Sequence, residues 1–388
     1  MARVAAAALI VLPVSGAGVA SARDGSISAG SVSTPRAPKL RDSICLTGCI
    51  GLTKAVVGST IEVSGRNMSG VDAISFRTRR GKRVYAPVTT TTKRSAQTVV
   101  PRGARSGGLR ARDAYRQKSE LGKEPLQVRP KRYLRATGAL HVADAEVSPN
   151  KAFYYGTRRA TLHYVITGAQ PSNDLRVDIV TPAGEVVHSF VQTGLAPNTT
   201  QTVSWKGTGL DGRPVASGWY SFRLSGANGQ SMMRASASDA SELGVGVFGY
   251  IFPIRGRHDF GSSGSVFGAG RSGHSHQGQD VMARCGKRLV AARGGKVQYS
   301  GYQGSAGNYL VIDQKGSGED NAYMHLAEPS PLAVGERVRT GQYIGEVGDT
   351  GNAQGCHLHF EIWGAPGWYE GGQPYDPLPS LRAWDKYS

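Results

Sequence analysis

His357 and His359 stand one residue apart in GCHLHFEIW, framed by Leu358, Phe360 and Ile362. In a β-strand alternate side chains face opposite sides. His357, His359 and Glu361 then share one face, while the three apolar side chains point into a core. Such a strand is either the floor of a metal site or an ordinary half-buried strand with a wet polar face, and its own residues leave both open. Two further stretches bear on the choice: GHSHQGQDVMA spaces His276 and Asp280 four apart with Gly278 between them, and NAYMHL presents His325. Two histidines and one carboxylate make a three-ligand set for catalytic zinc, with the fourth position left for water. His274 would share an extended face with His276, Gly278 and Asp280 without being needed as a ligand. Glu361 reads as a support for His359 or as a surface ion pair, and is left out of the site. His258 reads as a groove or surface residue, and His163 and His188, alone on their strands, as structural.

These groups must be held by strands and tight turns. Six of the nine histidines fall between Phe248 and Tyr369, where Gly-rich turns (GNYLVI, GEVGDTGNAQG) shape loops at strand ends. The chain is too long, at 388 residues, for one ordinary core. Residues 1–22 (MARVAAAALIVLPVSGAGVASA) read as a secretory signal peptide cleaved before Arg23, and residues 23–42 as a flexible leader. No later run is long and apolar enough to span a membrane. Residues 43–128 alternate in short runs split by turn residues, which predicts a small β-sandwich, although Arg102 to Lys123 is polar enough to read partly as loop. Residues 142–227 predict a second β-sandwich, with a hairpin turn at Pro182-Ala183-Gly184 and Trp205, Trp219, Tyr220 and Phe222 on strands. Residues 228–247 read as a linker, and 248–388 as the domain that carries the chemistry together with a C-terminal extension.

The formal charge is +18, and most of the excess lies between Arg77 and Arg135, where eighteen Lys and Arg face only Asp113, Glu120 and Glu124. A segment this basic calls for an anionic partner or serves as a solubilising surface. Export favours an anionic cell surface over nucleic acid, which is not expected as a partner. Export also makes pairing the default for the four cysteines. CLTGC has no second ligand pair nearby to make a zinc site, so Cys45 and Cys49 are expected to form a small surface disulfide.

The H-x-x-x-D of His276 and Asp280, the Y-x-H-L of His325 and the H-x-H of His357 and His359, in that order, resemble the LytM/lysostaphin-type zinc endopeptidases, which cut peptides of bacterial peptidoglycan. The resemblance covers roughly Phe252 to Ile362 and includes ARCGKRLVAARGGKV, GNYLVIDQKG and VGERVRTGQYIGEVGDTG. It implies an antiparallel sheet with a loop-lined groove, zinc (Zn2+) held by His276, Asp280 and His359, and His325 and His357 as a catalytic pair beside it. On that assignment the ligand strands are neighbours and Cys285 pairs with Cys356. GSTIEVSGRNMSGVDAISF is similar to the IPT/TIG immunoglobulin-like fold, and VSWKGTGLDGRPVASGWYSFRLSG to the Ig-like domain of flagellar hook-capping proteins. The chain is thus expected to be all-β: two Ig-like β-sandwiches before an antiparallel zinc peptidase domain. Its expected function is that of a secreted, extracellular or wall-associated endopeptidase acting on peptidoglycan, with residues 77–135 as a tether to anionic wall polymers. The other reading is a non-catalytic wall-binding or hydrolase-activating protein that keeps the fold; replaced ligands would favour it, and all five positions are intact.

Overall fold

In the computed structural model, residues 35–134, 140–168, 172–227 and 243–388 are described, and the expected signal peptide lies outside them. The first strands are β1 (Lys39–Gly51), β2 (Lys54–Arg66), β3 (Val71–Thr78), β4 (Arg83–Thr91), β5 (Ser95–Val99), β6 (Ala104–Asp113) and β7 (Gln127–Arg129). They pair in the order β1-β2-β5-β4-β3-β6, with β7 parallel to β2. Strand β1 already begins at Lys39, inside the segment expected as leader. Ile61, Val63, Ile74, Phe76, Leu109 and Ala111 point inward around the Cys45–Cys49 disulfide. Both cysteines are 0% exposed, so the expected surface bridge is a core element. The end of β1 and the turn after it dock on the next module: Cys49 N–H donates to Asn198 O at 2.8 Å, and Leu52 N–H to an Asp144 carboxylate oxygen at 3.0 Å. Of the polar stretch from Arg102 to Lys123, residues 104–113 are strand β6, whose apolar Leu109 and Ala111 alternate with arginines on the opposite face, and residues 114–123 are turn and loop as expected.

The next module has β8 (His141–Ser148), β9 (Lys151–Phe153), β10 (Ala160–Thr167), β11 (Asn173–Val180), β12 (Val186–Leu195), β13 (Thr200–Trp205), β14 (Gly218–Gly226) and β15 (Gly244–Phe248). One sheet runs β13-β10-β8 and the other β12-β11-β14-β15-β9. Trp205 fills the space between them, its ring edge-on to Tyr220 at 5.2 Å and its indole N–H donating to Thr208 O at 2.8 Å. Of the expected linker, residues 228–242 lie outside the described residues, and Gly244 onward is strand β15. Its apolar side chains Val245 and Val247 are buried, and it pairs with both β14 and β9.

The C-terminal sheet contains β16 (His258–Asp259), β19 (Gln279–Ala283), β21 (Gly295–Gln303), β22 (Gly307–Gln314), β23 (Asp320–Leu326), β24 (Arg337–Val338) and β26 (His357–Trp363). Their order is β16-β19-β26-β23-β22-β21-β24, with β27 (Pro374–Tyr375) on β26. Two short pairs flank it: β17 (Gly270–Arg271) with β18 (His274–Ser275), and β20 (Arg288–Val290) with β25 (Tyr343–Glu346). Val281, Leu310, Ile312, Tyr323, Leu358, Phe360 and Ile362 face one core. Each such side chain contributes about 1.5–3 kcal/mol by leaving water. The C-terminal extension holds the helix α1 (Leu378–Asp385), whose Leu381 and Trp384 recur at i and i+3 and close that core. The opposite face carries Asp280 on β19 and His357, His359 and Glu361 on β26, while on β22 and β23 it holds a second apolar cluster of Tyr309, Val311, Ala322 and Met324.

Candidate metal centre

Strand pairing brings the ligand residues together. Asp280 on β19 lies directly across from His359 on β26, and His276 reaches the same point from the loop before β19. Three atoms converge: His276 Nε2 lies 3.0 Å from Asp280 Oδ1 and 2.8 Å from His359 Nδ1, and His359 Nδ1 lies 2.8 Å from Asp280 Oδ1. All three residues are buried. Gly278 makes the approach possible, since a Cβ there would sit 2.5 Å from Phe360 O and 2.8 Å from His359 Nε2. This is the physical content of the glycine in H-x-G-x-D.

The tautomers follow from the partners. A carbonyl only accepts, so His276 Nδ1 carries a proton donated to Val266 O at 2.8 Å and leaves its Nε2 lone pair for a ligand. His359 Nε2 is 2.8 Å from Glu361 Oε1, and Trp363 Nε1–H holds the other carboxylate oxygen at 2.6 Å. Nδ1 is thereby the atom of His359 left to face a metal. Glu361, 3% exposed, is therefore a partner of a ligand histidine and not a surface ion pair. Its position two residues after His359, on the same strand face, was the sequence signal for this. Arg271 holds the second oxygen of Asp280 at 3.2 Å.

Two nitrogens and one oxygen at these separations fit a tetrahedral ion. Ligands about 2.0–2.1 Å from zinc lie about 3.3 Å apart, so the cluster needs to open by only a few tenths of an ångström. Without an ion the charges compensate one another. Burial opposes charging of both His359 and Asp280, but their mutual hydrogen bonds, with Glu361 and His276, outweigh it. His359 is pushed up to about 9 and Asp280 is held well below the usual carboxylate range. A metal takes the place of that proton.

His325 and His357 stand beside the cluster with ring centres 4.7 Å apart. His357 Nδ1–H donates to Gly355 O at 2.8 Å, and its Nε2 is 3.7 Å from Asp280 Oδ1. His325 Nδ1–H donates to Thr350 O at 2.8 Å. Strict alternation would send His325 to the core, because Tyr323 is there. A bulge on β23 supplies one extra residue between the pairs Leu310–Tyr323 and Asn308–Leu326, and His325 takes φ +60 within it. A residue other than glycine in the left-handed region is uncommon backbone held by its surroundings. Burial above all pushes His325 down to about 4, so it is neutral near neutral pH with an Nε2 lone pair. His274 is exposed on β18 opposite Arg271 and is not among the converging atoms. His258 bonds Asp385 at 3.3 Å instead. The Cys285–Cys356 disulfide joins the end of one ligand strand to the start of the other, Cα to Cα 5.3 Å.

A buried His-Asp-His cluster on an antiparallel sheet, with two more histidines beside it, defines a metallopeptidase centre. Residues 274–377 match the family described as Peptidase family M23, and residues 152–230 the FlgD Ig-like domain. The chain carries an M23 metallopeptidase domain of the LytM/lysostaphin type behind an Ig-like domain of the FlgD kind. It is 29% identical over 143 residues to the cell division protein DipM of Caulobacter vibrioides, covering 37% of this chain and 22% of that protein. It is 39% identical over 88 residues to the peptidoglycan DD-endopeptidase ShyC of Vibrio cholerae, covering 23% and 20%. To the glycyl-glycine endopeptidase ALE-1 of Staphylococcus capitis it is 30% identical over 115 residues, covering 29% and 31%. The chain thus spans between a fifth and a third of the length of these relatives.

Proposed function

We propose that the protein is an exported zinc endopeptidase that hydrolyses peptide bonds in the stem peptides or cross-bridges of bacterial peptidoglycan. The observation that carries this is the convergence of His276 Nε2, Asp280 Oδ1 and His359 Nδ1 within 3.0 Å, with two carbonyl-anchored histidines alongside. ShyC, a peptidoglycan DD-endopeptidase, and ALE-1, a glycyl-glycine endopeptidase, point to the same substrate class. Zinc held by those three atoms would act as a Lewis acid and lower the pKa of water toward ~7.

The rest is the work of the chain. His325 and His357 each spend Nδ1–H on a carbonyl, which fixes the ring and leaves Nε2 to accept a proton from water and return it to the leaving amine. A protonated Nε2 also donates to the oxygen that gains charge at the scissile carbonyl. Arg271 and Glu361 keep Asp280 and His359 in place while this happens. In the proposed organisation residues 1–22 are a signal peptide, 43–128 and 142–227 are β-sandwich modules and 248–388 is the peptidase domain. Residues 77–135 lend affinity for anionic wall polymers.

Digestion of purified peptidoglycans with different bridges, followed by mass analysis of the fragments, tests the reading. New amino and carboxyl termini within the peptides are expected, with the glycan intact. Cut glycan, or no cut in any bridge type by zinc-loaded protein, overturns it.

A further inference from the structure

Between Asp72 and Asp113 the chain has nine arginines and two lysines and not one carboxylate residue. The fold gathers several of these on one surface. Arg77 on β3 lies directly across from Arg83 on β4 and Arg105 on β6, and Ser75, on the same face as Arg77, lies across from Arg110. The other face of these strands is core, with Ile74, Phe76 and Ala111. Like charges placed directly opposite destabilise a sheet. Here nothing offsets them: among the described residues, no carboxylate pairs with Arg77, Arg83, Arg105 or Arg110, and Arg112 alone reaches Asp72, at 3.2 Å. Arg110 Nε is buried without a hydrogen-bond partner. The β3–β4 turn, closed by Thr78 N–H to Lys82 O at 2.8 Å, adds the exposed Arg79, Arg80 and Lys82 at the same end.

The surface is also partly fixed in advance. Arg83 donates from Nε to Ser75 Oγ at 2.8 Å and from Nη2 to Gly108 O at 2.9 Å, so its guanidinium lies across β3. Arg77 lies over Gly107, whose missing side chain leaves the room. With strands about 4.8 Å apart, the row Arg83–Arg77–Arg105 spans about 10 Å. That suits a repeating anion better than a single one. Guanidinium forks match phosphate oxygens, which remain charged at all physiological pH. Tyr85, an aromatic ring on this face, has the Arg112 guanidinium over it at 4.8 Å, which occupies one of its two stacking faces.

We infer that the outer face of β4, β3 and β6 binds a phosphodiester polymer of the bacterial envelope, gripped by Arg77, Arg105 and Arg110 beside the fixed Arg83. The inference rests on the envelope location proposed above and adds the residues and the ligand chemistry.

Poly(glycerol phosphate) of defined length is the probe, titrated against the full chain at low and at physiological salt. The variant R77Q/R105Q is compared with K296Q/R337Q, which removes the same charge from two exposed positions on the C-terminal sheet. The face variant should weaken binding at least ~10-fold and the control less than ~2-fold, and wild-type affinity should fall steeply with salt. Thermal melts check the fold; if R77Q/R105Q melts early, R79Q/R80Q on the exposed turn carries the same comparison. Equal losses in face and control variants would reduce the surface to diffuse charge and overturn the inference. So would polygalacturonate binding as tightly, or duplex DNA binding as tightly at matched phosphate. Hydrolysis of soluble peptidoglycan fragments, measured separately, should be unchanged in R77Q/R105Q. Wild-type protein that binds the polymer but cuts no fragment would sink the endopeptidase reading and leave the binding surface standing.

Discussion

The ligand cluster on β19 and β26 and the arginine face of β3, β4 and β6 both assemble groups that need a partner, by opposite means. In the cluster, buried donors of mixed charge converge within 3.0 Å, and His276, His359 and Asp280 each have a further partner in Val266 O, Glu361 or Arg271. On the arginine face like charges stand apart in register, mostly in solvent. The first arrangement recognises one ion at one point and is little screened. The second recognises spaced charge along a chain, and salt reaches it. Single substitutions should therefore be severe in one region and graded in the other.

The most severe is His359→Ala, which removes one of three protein ligands. Bound zinc and hydrolysis should both be lost, with poly(glycerol phosphate) binding intact. His357→Ala and His325→Ala come next: zinc should stay, and turnover should fall about 10²–10⁴-fold, the usual contribution of a general acid–base group. Metal analysis of each purified variant beside a fragment-hydrolysis assay separates the two outcomes. Zinc lost from the His357 variant and kept by the His359 variant would swap their roles.

Glu361→Gln should weaken zinc about 10–100-fold, the range for partners of ligand histidines. The amide keeps the shape but not the charge, so competition with a chelator reads the effect without any turnover. Unchanged affinity would reduce Glu361 to a packing residue, and the contrast between the regions would then rest on the three ligands alone.

What could be read from residue order follows from period. The alternation in HLHFEIW placed His357 and His359 on one face, and the separation of His276 from Asp280 put both within reach of it, because these strands are regular. The approach of His325 depends on a bulge, which no local signal in NAYMHL announces. Glu361 shared the face of His359 in the sequence, but its burial comes from strands on either side and from the Trp363 indole. The expected linker runs four residues into a strand, because GVGVF is too short and too rich in glycine to stand out before its partners β9 and β14 are known. The row Arg83–Arg77–Arg105 was legible only as composition. Its register comes from pairing across a turn and across a long loop.

The mildest expected effect is a change of thermal stability with pH in the metal-free protein, and it tests whether the cluster is held by a proton when it lacks an ion. Burial disfavours charge on His359, but Asp280 and Glu361 raise it from 6.5 to about 9. A histidine whose folded value lies above its unfolded one adds stability that is complete below about pH 6.5. That stability is lost as pH climbs toward about 9. Asp280, held low, stays ionised throughout this window. Metal-free protein should therefore melt at progressively lower temperature from pH 6.5 to 9. Zinc must displace the same proton, so its affinity should rise over the same range and the gap between loaded and metal-free melting temperatures should widen. Glu361→Gln should flatten the metal-free slope, because one of the two groups that raise His359 loses its charge. R77Q/R105Q should leave the slope alone, since arginine does not titrate there. A metal-free melting temperature that rises with pH across this window would show that His359 is neutral between Asp280 and Glu361, and the cluster would then be open to metal without proton release.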